Sequence, residues 1–284
     1  MRREVVMKLF FLSSGYATVP KGLFVRGEHW KKVRFPILSI LIERKGDLVL
    51  FDTGLGERIN EEMRPLKYRH NWLFNKLIMK IDFDPDVDPV VKQIKALGYD
   101  TMSVKHVIIS HLHWDHAGGM LDFPHAEFIV SRKEFETATA EKSHKRAYIR
   151  EQFGRDGVLT IKQITTIPGK GFLTFLDSFD VFGDGSFVLV DLPGHTEGLM
   201  GLILTMPSGR RFLFGGDSFY FPENLEKLAP KSRLMKTLVH EKDEADRTIA
   251  ALYKLAAMEP SIEMVCSHDH RIPGRYNLAP YYYE

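Results

Sequence analysis

Four predicted β-strands of this chain each run into a side chain that can bind a metal ion. Segments rich in Val, Ile, Leu and Phe are typical of strands, and these four lead into His111, His195, Asp217 and His268. Side chains that follow strands can meet at one edge of a layered α/β fold although they are far apart in sequence. The regularity therefore predicts a layered fold with a metal site at the strand ends.

The other segments favour a mixed α/β protein. An apolar helical spacing after Asp88-Pro89 predicts a helix with Asp88 as N-cap that ends at Gly98. Further helices are predicted over 133–139 and 243–258. Arg44–Asp47 is predicted to be a hairpin turn. The predicted strands are Met7–Leu12, Ile37–Ile42, Leu48–Phe51, Val104–Ser110, Phe128–Val130, Phe187–Val190, Leu199–Thr205, Arg211–Phe214 and Met264–Cys266.

The composition indicates an ordinary globular protein. A net charge of +2 gives no reason to expect a nucleic acid or an anionic membrane as partner. Cys266 is the only cysteine, which excludes an internal disulfide and a thiolate cluster. No apolar run approaches the roughly 20 residues that cross a bilayer, so we expect no stable membrane insertion and a cytoplasmic protein. We expect one domain over residues 1–284, with an irregular insertion at about 55–88.

The segment from His111 to His116 is the densest group of potential ligands. Alternate side chains of an extended segment share a face, so His111 and His113 can bind one ion together. Asp115 and His116 follow where the chain begins to turn, and they can reach a second ion beside the first. With the later residues at strand ends, five histidines and two aspartates are enough for two ions: His111, His113, Asp115, His116, His195, Asp217 and His268.

These motifs resemble those of a known superfamily. The block His111–His116, followed by Ala117-Gly118-Gly119, is similar to the hallmark of the metallo-β-lactamase superfamily. The other motifs of that superfamily occur in the expected order, namely Asp52-Thr53-Gly54, Gly194-His195-Thr196, Gly216-Asp217 and Ser267-His268. The resemblance covers the chain from the first strand to His268. It implies an αββα sandwich, in which helices flank two mixed β-sheets.

The resemblance also implies a role for each motif residue. His111, His113 and His195 would bind the first metal. The second would be bound by Asp115, His116 and His268, with Asp217 bridging the two. Asp52 would orient the ligands through hydrogen bonds. The implied cofactors are two divalent ions, zinc first, with iron, cobalt and manganese as alternatives.

Residues near the motifs favour a lactonase within the superfamily. The commonest class of zinc β-lactamases has a cysteine in place of Asp217, and another class has a histidine in place of Ala117. The glycine- and cysteine-containing segment that follows the aspartate in glyoxalase II is absent here. Tyr220, three residues after Asp217, and Trp114 instead resemble the N-acyl homoserine lactonases. A metal-dependent hydrolase of ester bonds is implied, with an acyl lactone as its small-molecule substrate and quorum quenching as its role.

The implied mechanism begins with a hydroxide shared by two metals, because coordination lowers the pKa of water from about 16 towards 7. The hydroxide would attack the lactone carbonyl carbon. Tyr220 would stabilise the negative charge on the carbonyl oxygen, and Asp115 would protonate the departing ring oxygen. Trp114, Phe219 and Phe221 would contact the substrate.

Several alternatives stay open. Another hydrolase of this fold, acting on thioesters, phosphotriesters or other esters, would use the same metal site. A redox protein would use iron, but flavin-linked relatives append a domain for which this chain has no room. The apolar stretch Trp72–Met79 is compatible with an acyl-chain wall, a packed helix, a membrane-touching face or a contact in a homodimer.

Overall fold

The computed structural model describes residues 6–62, 79–154, 157–229 and 242–284, and every element below lies in those ranges. The strands are β1 Met7–Pro20, β2 Lys32–Arg44, β3 Asp47–Phe51, β4 Lys80–Asp82, β5 Val104–Ile108, β6 Glu127–Ser131, β7 Thr160–Ile164, β8 Phe179–Asp180, β9 Phe187–Asp191, β10 Met200–Thr205, β11 Arg211–Phe214 and β12 Ile262–Val265. The α-helices are Lys21–Phe24, Ile59–Glu62, Val90–Ala96, Trp114–Ala117, Arg132–Thr139, Arg150–Phe153, Pro222–Glu226, Lys242–Met258 and Ile272–Arg275. Short 3₁₀ helices cover Thr101–Ser103, Met120–Asp122 and Ser143–Arg146.

The described strands form two mixed sheets, as the sequence predicts. The larger sheet has the order β4-β1-β2-β3-β5-β6-β7, and the smaller has the order β12-β11-β10-β9-β8. In the larger sheet, β1 to β3 are antiparallel neighbours, whereas β3, β5, β6 and β7 run parallel. The predicted hairpin joins β2 to β3 through Lys45 and Gly46, which both have positive φ and thereby match the twist of the strands.

Alternating burial along the strands explains the layers. Leu9 and Phe11 of β1 point into the core between the two sheets, while Phe10 and Leu12 point to the opposite face. That opposite face packs against the helices Val90–Ala96 and Arg132–Thr139. The outer face of the smaller sheet packs against Leu252 and Leu255 of the long helix Lys242–Met258. Each large apolar side chain buried in this way contributes about 1.5–3 kcal/mol to the free energy of folding. The four layers form the expected αββα sandwich.

Several predicted element boundaries differ from the structure: β1 and β2 are much longer than predicted, and two other differences follow from local hydrogen bonds. The N-cap of the helix Val90–Ala96 is Pro89, since the Asp88 carboxylate accepts from the backbone N–H of Asp84 at 2.7 Å. Strand β5 ends at Ile108 because the backbone N–H of Ser110 donates to Asp52 Oδ1 at 2.7 Å and leaves the ladder. Gly98 does end the helix, with a φ of 84°.

The predicted insertion at 55–88 is described only in part. The helix Ile59–Glu62 and strand β4 belong to it, and Met79 is partly buried against two apolar clusters. Within the stretch Trp72–Met79, only Met79 is described, because residues 63–78 lie outside the described ranges. The four interpretations of this stretch therefore stay predictions. In the described part of the chain, no helix has the length and apolar character to cross a membrane. The one-domain organisation, the homodimer and the cytoplasmic location stay predictions.

Candidate metal centre

The loops that carry the predicted ligands meet at one end of the two sheets. We call them the ligand loops; they are the segments that follow β3, β5, β9, β11 and β12. Backbone hydrogen bonds join two of these loops to strands of the opposite sheet, since Met200 N of β10 donates to Ser110 O at 3.0 Å and Leu38 N of β2 donates to Ser267 O at 3.2 Å. The site is therefore assembled from both sheets, as the strand ends predict.

Two glycines allow the chain to turn sharply just before a ligand. Gly194 precedes His195 with a φ of 129°, and a Cβ there would lie 2.3 Å from the backbone of Ala245. Gly216 precedes Asp217 with a φ of 55°. Glycine adopts such conformations without the strain that other residues incur, so these positions fix where His195 and Asp217 emerge.

The first group of potential ligands consists of three histidines with converging nitrogens. His113 Nδ1 lies 3.1 Å from His111 Nε2 and 2.9 Å from His195 Nε2. Tetrahedral zinc with Zn–N bonds of about 2.0–2.1 Å places its nitrogen ligands roughly 3.3 Å apart. The spacing of the three nitrogens is close to that expected around one ion.

The second group lies beside the first, with Asp217 between them. His268 Nε2 is 3.3 Å from Asp217 Oδ1 and 3.5 Å from Asp115 Oδ2. His116 Nε2 is also 3.3 Å from Asp217 Oδ1, whereas the other oxygen of Asp217 is 3.5 Å from His195 Nε2. One carboxylate thus faces both groups, which is the geometry a bridging ligand requires.

The environment of His116 supports a metal in this place. Its ring is fully buried, and Nε2 has only the long contact with Asp217 Oδ1 at 3.3 Å, without good hydrogen-bond geometry to any described residue. A buried polar atom normally has a hydrogen-bond partner, and an ion held with Asp217 and Asp115 would supply the missing interaction. Imidazoles and carboxylates are a donor set that suits zinc and other first-row divalent metals, so the residues fit the implied cofactors.

Asp52 lies behind the ligands and contacts both groups. Its Oδ2 accepts a hydrogen bond from His116 Nδ1 at 2.9 Å and one from the Ser110 hydroxyl at 2.8 Å. Because the Ser110 hydroxyl donates to Asp52, its oxygen can accept from His111 Nδ1, which is 3.0 Å away. These bonds leave Nε2 of both histidines facing the site. The sequence interpretation missed Ser110, although its position directly before His111 is a signal for it.

Burial and neighbouring charges set the protonation of the ligands. Burial lowers the pKa of His111 well below its usual range, and the nearby His116 and His113 lower it further. Burial would raise the pKa of Asp217, but His268 and His116 outweigh it and hold that pKa well below the usual range. His111 is therefore neutral and Asp217 is an anion near neutral pH, which are the forms that bind metal ions.

Tyr220 lies at the edge of the first group. Its hydroxyl is 3.0 Å from His195 Nδ1, on the side of that ring opposite to Nε2. Phe24 contacts the Tyr220 ring edge-on, with centroids 4.8 Å apart, and Phe35 and Phe221 complete the cluster. We call Phe24, Phe35, Tyr220 and Phe221 the aromatic wall. Asn224, which the sequence interpretation missed, accepts hydrogen bonds from Tyr220 N and Phe221 N and donates to Phe24 O.

The other residues expected to contact substrate lie in different surroundings. Phe219 is 2% exposed in the core between the smaller sheet and the long helix. Its ring lies in that core beside Gly215 and outside the cluster that contains Tyr220, and its contact with substrate stays a prediction. Phe221 is fully buried within the aromatic wall, where it supports Tyr220 from behind. Trp114 follows His113 directly and packs in an apolar cluster with Ile149, and Met79 and Phe83 lie at its partly exposed edge.

The sequence is similar to those of known proteins. The sequence pattern of the metallo-β-lactamase superfamily matches residues 33–256. An N-acyl homoserine lactonase of Rhizobium radiobacter is 33% identical over 196 residues, which are 68% of this chain and 68% of that protein. A probable metallo-hydrolase of Mycobacterium tuberculosis is 30% identical over 251 residues, which cover 84% of this chain and 76% of that protein.

A solved structure is similar over almost the full length. It is an N-acyl homoserine lactone hydrolase with the product N-hexanoyl-L-homoserine at its catalytic metal centre, and it superimposes with a TM-score of 0.77 at 24% identity. The superposition covers 98% of this chain and 99% of that one. The superfamily match spans most of the sandwich and all the ligand loops except the last. The chain therefore belongs to the metallo-β-lactamase superfamily.

Proposed function

We propose that this protein is a metal-dependent hydrolase that opens the lactone ring of N-acyl homoserine lactones. The observation that carries the proposal is the hydroxyl of Tyr220, 3.0 Å from His195 Nδ1 and directly beside the ligand loops. A hydrogen-bond donor beside the metals can stabilise the negative charge that develops on the carbonyl oxygen when a cyclic ester is opened. The Rhizobium radiobacter relative and the solved hydrolase, both named for acyl homoserine lactones, support the same substrate class.

Two divalent ions fit the ligand loops, and zinc is the ion that their donor set favours. His111, His113 and His195 would hold one of them. Asp115, His116 and His268 would hold the other, with Asp217 shared. Bound there, the ions would lower the pKa of water enough to supply a hydroxide nucleophile near neutral pH.

Tyr220 would act as a hydrogen-bond donor to the lactone carbonyl oxygen. Burial and, after it, the charges of Asp217 and Asp115 raise the pKa of Tyr220 well above its usual range, so the hydroxyl keeps its proton. With Nε2 of His195 facing the ligand group, Nδ1 carries a proton that it can donate to the Tyr220 oxygen. The Tyr220 proton is then available to the substrate, where negative charge grows on the carbonyl oxygen during attack.

Asp115 would take up the proton that the water nucleophile loses and pass it to the ring oxygen as the ester bond breaks. Its side chain is partly exposed, whereas His116 beside it is fully buried, so it can reach a bound substrate. The apolar cluster around Trp114 extends to partly exposed Met79 and Phe83 and would accommodate an acyl chain. The product would be the open-chain N-acyl homoserine, and a role in quorum quenching would follow from that reaction.

Acid release by the zinc-loaded protein tests the proposal. Short- and long-chain acyl homoserine lactones, S-lactoylglutathione and a phosphotriester would be compared, with Tyr220→Phe and the matched control Tyr253→Phe, an exposed tyrosine of the long helix. We expect lactone opening, with kcat reduced about 10²- to 10³-fold in Tyr220→Phe because one donor to the oxyanion is lost. The Tyr253→Phe variant should retain the wild-type rate.

Two results would overturn parts of the proposal. Brisk hydrolysis of the thioester or the phosphotriester with little lactone opening would assign the same metal site to another substrate class. Equal lactone rates in Tyr220→Phe and Tyr253→Phe would remove the role given to the Tyr220 hydroxyl.

A further inference from the structure

Glu134 is a fully buried carboxylate next to the ligand loops, outside the set of ligands. It is the third residue of the helix Arg132–Thr139, whose N-cap is Ser131. Oε1 of Glu134 accepts hydrogen bonds from Leu112 N at 2.9 Å and from the Tyr148 hydroxyl at 3.1 Å. Oε2 accepts from Gly198 N at 3.3 Å. Both oxygens of the carboxylate therefore face donors.

The groups that contact Glu134 belong to the loops of the first histidine group. Leu112 stands between His111 and His113 in the sequence, so its amide fixes the backbone of both. Gly198 is three residues after His195. One side chain thus joins the two segments that supply the three converging nitrogens.

The packing around this carboxylate is also close. A Cβ on Gly198 would lie only 2.1 Å from Glu134 N, which leaves no space between that loop and the helix. The ring of Tyr148, whose hydroxyl donates to Glu134, lies 4.9 Å from the ring of His113. The position of His113 therefore depends on Glu134 through the backbone of Leu112 and through Tyr148.

We infer that Glu134 is a positioning residue that sets the geometry of the histidine group formed by His111, His113 and His195. The inference rests on the proposed function, because it assumes that these histidines bind a metal ion. It assigns a different task from that of Asp52, which bonds to the ligand side chains through His116 and Ser110. Glu134 instead holds the backbone from which the ligands project.

The hydrogen-bond donors around Glu134 favour a carboxylate in this place. Burial raises the pKa of Glu134, and the hydrogen bonds from Leu112, Tyr148 and Gly198 offset part of that rise, because each favours the ionised form. The start of the helix adds to this stabilisation, since its free N–H groups favour a negative charge. An amide of the same shape would direct its NH₂ group at a donor whichever way it was turned.

Zinc affinity of the whole protein, measured by competition with a chromogenic chelator, tests the inference. The variant is Glu134→Gln, and its matched control is Glu136→Gln, an exposed residue of the same helix. We expect Glu134→Gln to bind one of two zinc ions about 10- to 100-fold more weakly, as is typical when an outer partner of a metal ligand is lost. The affinity for the other ion and both affinities of Glu136→Gln should equal those of the wild type.

The d–d absorption spectrum of the cobalt-substituted protein separates positioning from general stability. Ile203→Val lies in the core of the smaller sheet, away from the ligand loops, and is the control for a lowered melting temperature. We expect a changed cobalt spectrum in Glu134→Gln and an unchanged one in Ile203→Val. An unchanged spectrum and zinc affinity in Glu134→Gln, with two ions bound to the wild type, would overturn the inference and leave the proposed function standing.

Failure of the proposed function itself has a different signature. A wild-type protein that binds no zinc would overturn that function and the inference together. If Glu134→Gln does not fold, Tyr148→Phe takes its place, because it removes one donor and keeps the carboxylate. A smaller loss of affinity for one zinc ion and a shifted cobalt spectrum would support the role of Glu134. Values equal to those of the wild type would refute it.

Discussion

The ligand loops and the aromatic wall adjoin at the site, where the loop after β11 carries Tyr220 and Phe221, but they are held in different ways. In the ligand loops, named polar atoms contact one another at hydrogen-bond distance, as when Asp52 Oδ2 accepts from His116 Nδ1 at 2.9 Å. In the aromatic wall, rings contact rings, as when Phe24 meets Tyr220 edge-on at 4.8 Å. The first kind of contact depends on which atom is present, and the second on the volume and shape of the side chain.

The supports behind the two regions also differ. Fully buried carboxylates, Asp52 and Glu134, hold the ligand loops. Behind the wall, the helices Lys21–Phe24 and Pro222–Glu226 are joined by Asn224 and by the ion pair between Lys21 and Glu223, with Nζ and Oε1 2.7 Å apart. We therefore expect substitutions in the loops to change metal binding before stability, and substitutions in the wall to change stability before metal binding.

The largest expected effect is on the stability of the wall. Phe24→Ala removes a ring that is 5% exposed, and deletion of a buried phenylalanine ring typically costs about 3–5 kcal/mol of unfolding free energy. Urea denaturation of the metal-free protein would measure the loss. Zinc affinity should stay at the wild-type value, and Phe24→Leu, which keeps much of the volume, should lose less. A zinc affinity that falls together with stability in Phe24→Ala would show that the two regions are not separate.

The next effect is on metal binding in the ligand loops. Asp52→Asn keeps the shape of the side chain but turns an NH₂ group towards donors, whether Ser110 N or His116 Nδ1. We expect zinc to bind about 10- to 100-fold more weakly, which is roughly 1.4–2.7 kcal/mol. Chelator competition measures this, with Asp47→Asn, an exposed residue at the start of β3, as the control. Equal affinities in the two variants would contradict the role given to Asp52.

The smallest effect concerns the ion pair behind the wall. Burial raises the pKa of Glu223, but hydrogen bonds from Lys21 and Arg271 outweigh it and lower that pKa to about 2. The charged groups around Glu223 are Lys21 and Arg271, with Glu28 and Glu226 on their outer side, and His270 is a further titratable neighbour whose pKa is lowered by burial. A pKa lowered in the folded state stabilises the protein above the usual value of 4.5, and this contribution is lost as the pH falls towards 2.

The comparison of wild type with Glu223→Gln isolates this contribution. With metal removed by a chelator, we expect the wild type to be more stable than Glu223→Gln by about 1 kcal/mol at pH 7. The difference is small because the charges around Glu223 are partly solvated and water screens their attraction. The gap should narrow as the pH is lowered from 4.5 towards 3. A gap that stays constant over that range would show that Glu223 stabilises the wall by packing rather than by its charge.

The difference between polar contacts in the ligand loops and ring contacts in the aromatic wall also explains which parts of the site the sequence could predict. The proposed ligands were recognisable because each follows a strand and each belongs to a residue type with metal chemistry. Ser110 has a comparable signal beside His111. Glu134 has none, since a glutamate in the first turn of a helix is ordinary, and only the packing of that helix on the ligand loops gives it three donors.

The aromatic wall was harder to predict because apolar residues are chemically alike. Phe219, Tyr220 and Phe221 are adjacent, and the turn after Gly216 decides which of them faces the ligand loops. Phe219 enters the core of the smaller sheet, whereas Tyr220 lies against His195. Phe24 and Phe35 come from β1–β2, nearly 200 residues earlier in the chain, and no local pattern links them to Tyr220.

The ligand loops come from both sheets, and this has a consequence for how long the protein survives. An ion that binds only when the sheets are docked acts as a crosslink between them, and it stabilises the folded state by about 2.7 kcal/mol at a free concentration 100 times its Kd. Proteases in a cell attack the opened chain, and a stabilisation of that size lowers the population of the opened chain about 100-fold. The supply of metal would thus govern the abundance of this protein as well as the fraction of its molecules that are active.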